Sequence, residues 1–562
     1  MRVRKFHLKA LYLIPILAAG CAQFSIKVPE VTDSDFEASY RNDLMTLASD
    51  EFQGRRPGTP GGEKTIDYLV ESFKAMGVEP GNNGSYLQEV KLKSSKTLPT
   101  TNTIVVSDND SLTLEPLTHI IASVIGEESI LVLLDNELVF VGYGAVSEDD
   151  EWDDYSELDV EGKIVVMLRN HPGFVSDDTT FFQTPAAARN WLFSVKFNNA
   201  KTNGALGAIV IIDTALSTSK SKWERFAQRS KRGSSSLADA VVDTSKMKLQ
   251  AMIDLGVGKE LLALAGYDYD SLKVAAFTPG FKGFDLGLRI SGEFTREEEL
   301  YNSNNVLGLI RGTKRPDEVI IYTAHWDHLG ILEGAEGDSI YNGASDNSTG
   351  TASILNLARA FSSLPNRPER SILFMGYTAE EMGLLGSKYY GDNPVYPLGK
   401  SVANINIDML NFMGETNDLI VFGMGKSDLD DYAARAAKKI GMRLQEDLWP
   451  EEGYYYRSDH ISLARKGLPA LSMDNGVDSR EHGQEWGLAY FKAFVDSNYH
   501  KLSDEYSDDL NVDGIMQYLQ VVFDIGYTLA NSSKFPNWNK DDEFRALRDA
   551  SRAEAEAMHS AP

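Results

Sequence analysis

Two kinds of hydrophobic pattern alternate along the chain. The stretch SDFEASYRNDLMTLASDEFQGRRPGTPGGEKTIDYLVESFKAMG places apolar residues at helical spacing on either side of a loop rich in glycine and proline. It predicts two amphipathic helices ending near Gly77. From about residue 95 to 292 short β-type runs take over, NTIVVS, SILVLL, LVFVGYGA, KIVVMLRN and GAIVIID, separated by long polar connections such as SKSKWERFAQRSKRGSSS. From about residue 302 strand and helix alternate regularly: strand EVIIYTA, helix TGTASILNLARAFSSL, strand SILFMGYT, strand VANINID, helix DLDDYAARAAKKIG. Such alternation predicts an α/β fold, a mixed and mostly parallel sheet flanked by helices, interrupted by a β-rich insert. The last stretch, DDEFRALRDASRAEAEAMHSAP, reads as a charged helix fraying into a tail.

The expected division is an export signal at 1–20, a tether at 21–33, the first segment of the α/β domain at 34–94, the insert at 95–295, the second segment of the α/β domain at 296–535 and the charged tail at 536–562. With 562 residues, 42% of them hydrophobic, the chain is long enough for two or three domains. Its opening, MRVRKFHLKALYLIPILAAG, has the plan of an export signal: basic residues, a short apolar run, then small residues. Cys21 comes next and is the only cysteine, so it has no internal disulfide partner. LAAGC resembles the lipobox of bacterial lipoproteins, with Ala18 where leucine is usual. That resemblance implies acylation of Cys21, a lipid anchor as the sole membrane contact, and, because Ala22 is not aspartate, the outer membrane of a Gram-negative cell. A periplasmic or secreted protein is the alternative. The net charge of −27, which loss of Arg2, Arg4, Lys5 and Lys9 makes more negative, excludes nucleic acid as a partner.

In open α/β sheets ligands bind at the carboxyl ends of the strands, so the residues just past each strand carry the functional information. His325 and Asp327 come after EVIIYTA, Glu380 and Glu381 after SILFMGYTA, and Asp408 after VANIN and Ile407. Asp346 lies in GASDNSTG just ahead of a helix, and His500 lies in NYHKLSDEY. Singly, each has an ordinary role: Asp346 as a helix cap, the two glutamates as a solvated helix start, His500 as a structural histidine. Asp408 is harder to place at the end of an apolar strand without a partner. Together they form a donor set of carboxylates and imidazoles without thiolates, which suits zinc best, with manganese or cobalt as substitutes. Two histidines and three carboxylates exceed one tetrahedral site with an open position, and fit two ions sharing a carboxylate.

With these residues assembled, the chain resembles the M28 family of co-catalytic zinc aminopeptidases, through AHWDHLG, GASDNSTG, AEEMGLLGS, NIDM, RSDH and YHKLSDE in the family's order. The insert resembles a protease-associated (PA) domain. The resemblance implies a zinc-peptidase-type sheet, two Zn2+ ions and peptide substrates. It implies that His325 and Asp408 bind one ion and Glu381 and His500 the other, with Asp346 bridging and Glu380 as general base. Asp327 would orient His325 by accepting its second N–H, and His328 would be structural or stand behind the ligands. Tyr454, Tyr455, Tyr456, Arg457 and His460 are candidates for contacting substrate or its oxyanion. A PA-like insert would bind a partner or control access. The competing readings are a carboxypeptidase or dipeptidase on the same scaffold, for which Arg457 is the one arginine near a motif, and a non-catalytic receptor-like protein.

Overall fold

The two amphipathic segments at the start of the chain form helices α1 (Ser34–Leu47) and α2 (Pro60–Ala75). The second begins where local chemistry starts a helix: Thr59 accepts the backbone N–H of Gly62, and Pro60 occupies the first turn. The computed structural model describes residues 30–560, apart from 100, 176–181, 183, 185–186, 188, 213–222, 224–225, 228–229, 242–244 and 336. The export signal and Cys21 lie outside the described residues. Among the described residues no helix is long and apolar enough to cross a membrane.

The sheet that carries the second half of the chain uses β1 (Leu87–Pro99), β2 (Phe284–Ile310), β3 (Arg315–His325), β4 (Arg370–Tyr377), β5 (Ser401–Asn406), β6 (Asp418–Phe422), β7 (Arg443–Glu446) and β8 (Ala470–Asn475). Their spatial order is β1-β2-β4-β3-β5-β8-β6-β7. The central four, β4, β3, β5 and β8, run parallel, so their carboxyl ends open on one edge. Both faces are covered, which is why these strands read as continuous apolar runs. Ile320, Tyr322 and Ala324 of β3 pack into a core with α1, α2, α3 (Thr349–Ser362), α4 (Leu429–Lys439) and α5 (Asp513–Ala530). Val319 and Ile321 point the other way, against Tyr390, Leu463 and Leu468. Each fully buried aliphatic side chain there stabilises the fold by roughly 1.5–3 kcal/mol.

The insert builds its own layered unit. Parallel strands Ile164–Leu168, Gly207–Ile212 and Leu249–Asp254 are flanked by Ile120–Val124, antiparallel, on one side and by Ile130–Phe140, parallel to Ile164–Leu168, on the other, the latter joined to the first half of β2. Helices Leu255–Leu264 and Phe193–Thr202 cover its faces through Leu261, Leu262 and Ala200. The expected β-rich insert is therefore more helical than its sequence reads, because LGVGKELLAL is short and glycine-containing. Residues 95 and 295 lie inside β1 and β2, where Ser95 faces Glu298 and Thr295 faces Leu98. The two units share this long antiparallel ladder.

The charged tail forms α6 (Arg545–Ser560). It is fastened by Arg548, fully buried, whose guanidinium donates to the carbonyls of Leu398 (2.9 Å), Ser401 (2.9 Å) and Val402 (3.3 Å). Arg548→Ala strands these acceptors at a cost of about 2–3 kcal/mol. Hydrogen exchange should then show faster exchange across residues 545–560 with protection of the central strands retained.

Candidate active site

Four of the expected residues sit where strands end. His325 closes β3, Asp408 lies two residues past β5, and Glu380 and Glu381 come after β4 through Ala379, whose backbone is left-handed (φ 55°). Asp346 comes from the loop ahead of α3, and His500 from the loop after the helix Gln484–Ser497. The structure brings all six together in one cavity wall or directly behind it.

Two groups share one carboxylate. His325 Nε2 lies 3.1 Å from Asp408 Oδ1 and 3.4 Å from Asp346 Oδ1. The other oxygen of Asp346 lies 3.0 Å from His500 Nε2, which is 3.3 Å from Glu381 Oε2. Glu381 Oε1 faces His328 Nδ1 at 2.7 Å, so His328 stands directly behind that carboxylate. The donor atoms of His325, Asp346 and Asp408 are close enough to hold one ion, as are those of His328, Asp346 and Glu381. Glu380 lines the same cavity.

The sequence-based role for Asp327 needs correction. His325 Nδ1 is 3.1 Å from the main-chain carbonyl of Asp327 and 3.8 Å from its carboxylate. The carboxylate instead accepts the backbone N–H of Glu380 (3.0 Å) and Glu381 (3.4 Å). Asp327 thus holds the glutamate turn, and the peptide chain itself holds the imidazole.

Supports that sequence reasoning did not single out fix the remaining groups. Asp504 accepts the backbone N–H of Ser345 (3.0 Å) and Asp346 (3.1 Å), anchoring the loop that presents Asp346. Gly343 is left-handed (φ 57°) in that loop, and a β-carbon there would collide with the carbonyl of Asp346 and the ring of His328. Ser458 Oγ donates to Asp408 Oδ2 at 2.5 Å and accepts from Asn406 Nδ2 at 2.8 Å. Beneath the site lies fully buried Arg55, which donates to the carbonyls of Leu47 (2.8 Å), Trp326 (3.0 Å), Asn342 (2.5 Å) and Gly343 (3.0 Å).

Burial of so many like charges governs ionisation. For Glu380, burial outweighs the opposing field of His325 and, with Asp408, holds its carboxyl well above the usual range. Burial, reinforced by Glu381, pushes Asp327 up to about 7. Burial works to lower His325, yet Asp408, Glu380 and Asp346 overcome it and hold the imidazole well above its ordinary value. His500 is likewise raised to about 10 against burial, by Glu381 and Asp346. The donor set of imidazoles and carboxylates without thiolates fits zinc, whose positive charge would neutralise the clustered carboxylates.

The five substrate-facing candidates divide. Tyr454 and Arg457 line the cavity. Tyr455 is buried against Tyr456 and His460, His460 is fully buried, and Tyr456 directs its hydroxyl to Glu543 (3.3 Å), so these three pack away from the cavity wall. In their place Tyr499, stacked on His500 with ring centroids 3.9 Å apart, and Asp474 face the cavity. Asp474 comes after the apolar strand ALSM as Asp408 comes after VANIN, a signal present in the sequence.

Residues 305–525 match peptidase family M28. Among curated relatives, Aminopeptidase YwaD of Bacillus subtilis is 29% identical over 231 residues, covering 37% of this chain and 47% of the relative. A protein described as "Probable glutamate carboxypeptidase AMP1" of Arabidopsis thaliana is 33% identical over 206 residues, 34% of this chain and 27% of the relative. The chain spans less than half the length of these curated relatives. Among solved structures, an aminopeptidase from Aneurinibacillus sp. strain AM-1 superposes with a TM-score of 0.54 at 19% identity, covering 91% of this chain and 98% of that one, which shows the shared fold. The matched segment includes every expected ligand; Arg55 lies outside it.

Asp504→Ala leaves the Asp346 loop without its anchor and should weaken zinc affinity by about 10–100-fold, as outer supports of metal ligands do. Competition with a chelating dye measures this, with circular dichroism checking the fold.

Proposed function

We propose that the chain is a metal-dependent exopeptidase that removes N-terminal residues from peptides, using a pair of zinc ions. The observation that carries this reading is that Asp346 turns one oxygen to His325 and the other to His500, while Glu380 shares the cavity. On this reading His325 and Asp408 would hold one ion and Glu381 and His500 the other, with Asp346 shared between them. When bound, the ions polarise the scissile carbonyl and make water acidic enough to attack it near neutral pH.

The chain's own residues supply the rest. The Glu380 carboxylate takes the proton from the attacking water and returns it to the nitrogen of the leaving amine. Ser458 and the Asp327 carbonyl keep Asp408 and His325 in register for this. Tyr499 and Tyr454 supply walls, and Tyr499 is the tyrosine nearest His500.

Arg457 is the one arginine among the described residues of the cavity wall, so a carboxypeptidase would have a single guanidinium to receive a substrate's terminal carboxylate, which supports the aminopeptidase reading over a carboxypeptidase or dipeptidase. Export and lipid anchoring through Cys21 accord with an enzyme that meets peptides outside the cytoplasm, and the insert, joined through β1 and β2, would control approach to the cavity.

Glu380→Gln should keep zinc stoichiometry while kcat on a free aminoacyl p-nitroanilide falls by about 10²–10⁴-fold. Acetylating the substrate's amine should abolish cleavage by the wild type, and chelation should do the same, with zinc restoring it. Near-wild-type turnover by the variant removes Glu380 from the base role.

A further inference from the structure

The structure leaves one carboxylate of the cavity unexplained by the chemistry above. Asp474 lies on β8, is only 7% exposed, and lines the same cavity as His325 and Glu380. Among the described residues its carboxylate meets no hydrogen-bond donor and no basic side chain. A buried, unpaired carboxylate is costly, and a fold keeps one where something arriving from outside supplies the missing charge.

Its position can be read from the sheet. β5 and β8 are parallel neighbours with Asn406 opposite Ser472. Asp408 lies two residues past Asn406, at the end of β5, and Asp474 two residues past Ser472 on β8, so the two carboxylates come from the carboxyl ends of neighbouring strands, with β8 on the side of β5 away from β3. The cavity that Asp474 lines also has apolar and aromatic walls, besides Arg457 and the ligand cluster: Phe422 and Tyr454 with ring centroids 5.6 Å apart, Phe491, backed by Trp449 at 4.4 Å, and Val495. Apolar walls together with a buried carboxylate match a side chain with an aliphatic stem and a cationic head.

We propose that Asp474 makes this recess select substrates whose N-terminal residue is lysine or arginine. The inference rests on the exopeptidase reading for its setting: the scissile bond lies at the ligand cluster and the first side chain points along Phe422 and Phe491 to Asp474. Burial and the neighbouring Asp408 hold the Asp474 carboxyl well above the usual range, a bias that an ammonium or guanidinium placed beside it would reverse.

The test compares Lys, Arg and norleucine p-nitroanilides with zinc-loaded full-length protein, wild type, Asp474→Asn and Asp474→Glu. The wild type should favour Lys and Arg over norleucine by roughly tenfold or more in kcat/KM. In Asp474→Asn that ratio should fall by roughly a hundredfold, and Asp474→Glu should restore part of it. An equal fall on all three substrates would assign Asp474 to the α-amine and overturn the proposal, as would a wild-type ratio near one. Calorimetric binding of free L-lysine against L-norleucine to the wild type, which needs neither turnover nor a variant, provides a separate readout. Tighter lysine binding with no cleavage of any free-amine substrate would keep the Asp474 recess and discard the exopeptidase reading. Equal binding of the two amino acids would discard the recess whatever the activity.

Discussion

Concentrating buried carboxylates at one edge of a sheet is the constraint on which most of this structure depends. Asp346, Glu380, Glu381 and Asp408 repel one another in a medium that solvates them poorly, and three imidazoles offset only part of that charge. The arrangement persists because neighbouring side chains hold the turns and carboxylates in place. Asp327 grips the Glu380 turn, Asp504 the Asp346 loop, and Ser458 the Asp408 carboxylate. Arg55 adds a positive charge below the site while its donors tie four carbonyls from three separate places in the chain. The N-terminal segment, which precedes the family match, is thus part of the foundation of the site.

Much of this was legible in the sequence, and the reason is physical. A polar residue after an apolar strand is expensive unless it meets a partner, so His325 and Asp408 announced themselves, and the central strands and helices appeared where their periodicity placed them. What sequence hid is of two kinds. Tertiary partners such as Arg55 and Asp504 carry no local signal, because their meaning lies in which carbonyls or N–H groups the fold brings to them. Adjacent residues of one type, Tyr454, Tyr455 and Tyr456, cannot be sorted without the backbone turn that sends one to the cavity and the other two away. The reassignment of Asp327 belongs to the first kind: spacing placed it beside His325, and only geometry showed its carboxylate turned to the next strand's turn.

Similarity to named proteins bounds the chemistry without deciding it, since an aminopeptidase matches 37% of this chain and a protein described as a probable glutamate carboxypeptidase matches 34% of it. Ligands at strand ends are common property of such a scaffold, and discrimination between substrates resides in the walls around them. Here those walls come from β6, β8 and the helix Gln484–Ser497, elements that lie on the far side of the ligand cluster from β1 and β2.

The shared ladder of β1 and β2 has an architectural consequence. The inserted unit is grown on an extended hairpin whose base already belongs to the catalytic sheet, with Leu87 facing Val306 and Lys91 facing Asn302. Shortening that hairpin above this base, with a tight turn joining the two arms, would excise nearly two hundred residues while the strand pairing below stayed in register. The same geometry makes the insert a lever: a force applied to its strands travels down β2, whose lower half pairs with β4, the strand that leads to the Glu380 turn.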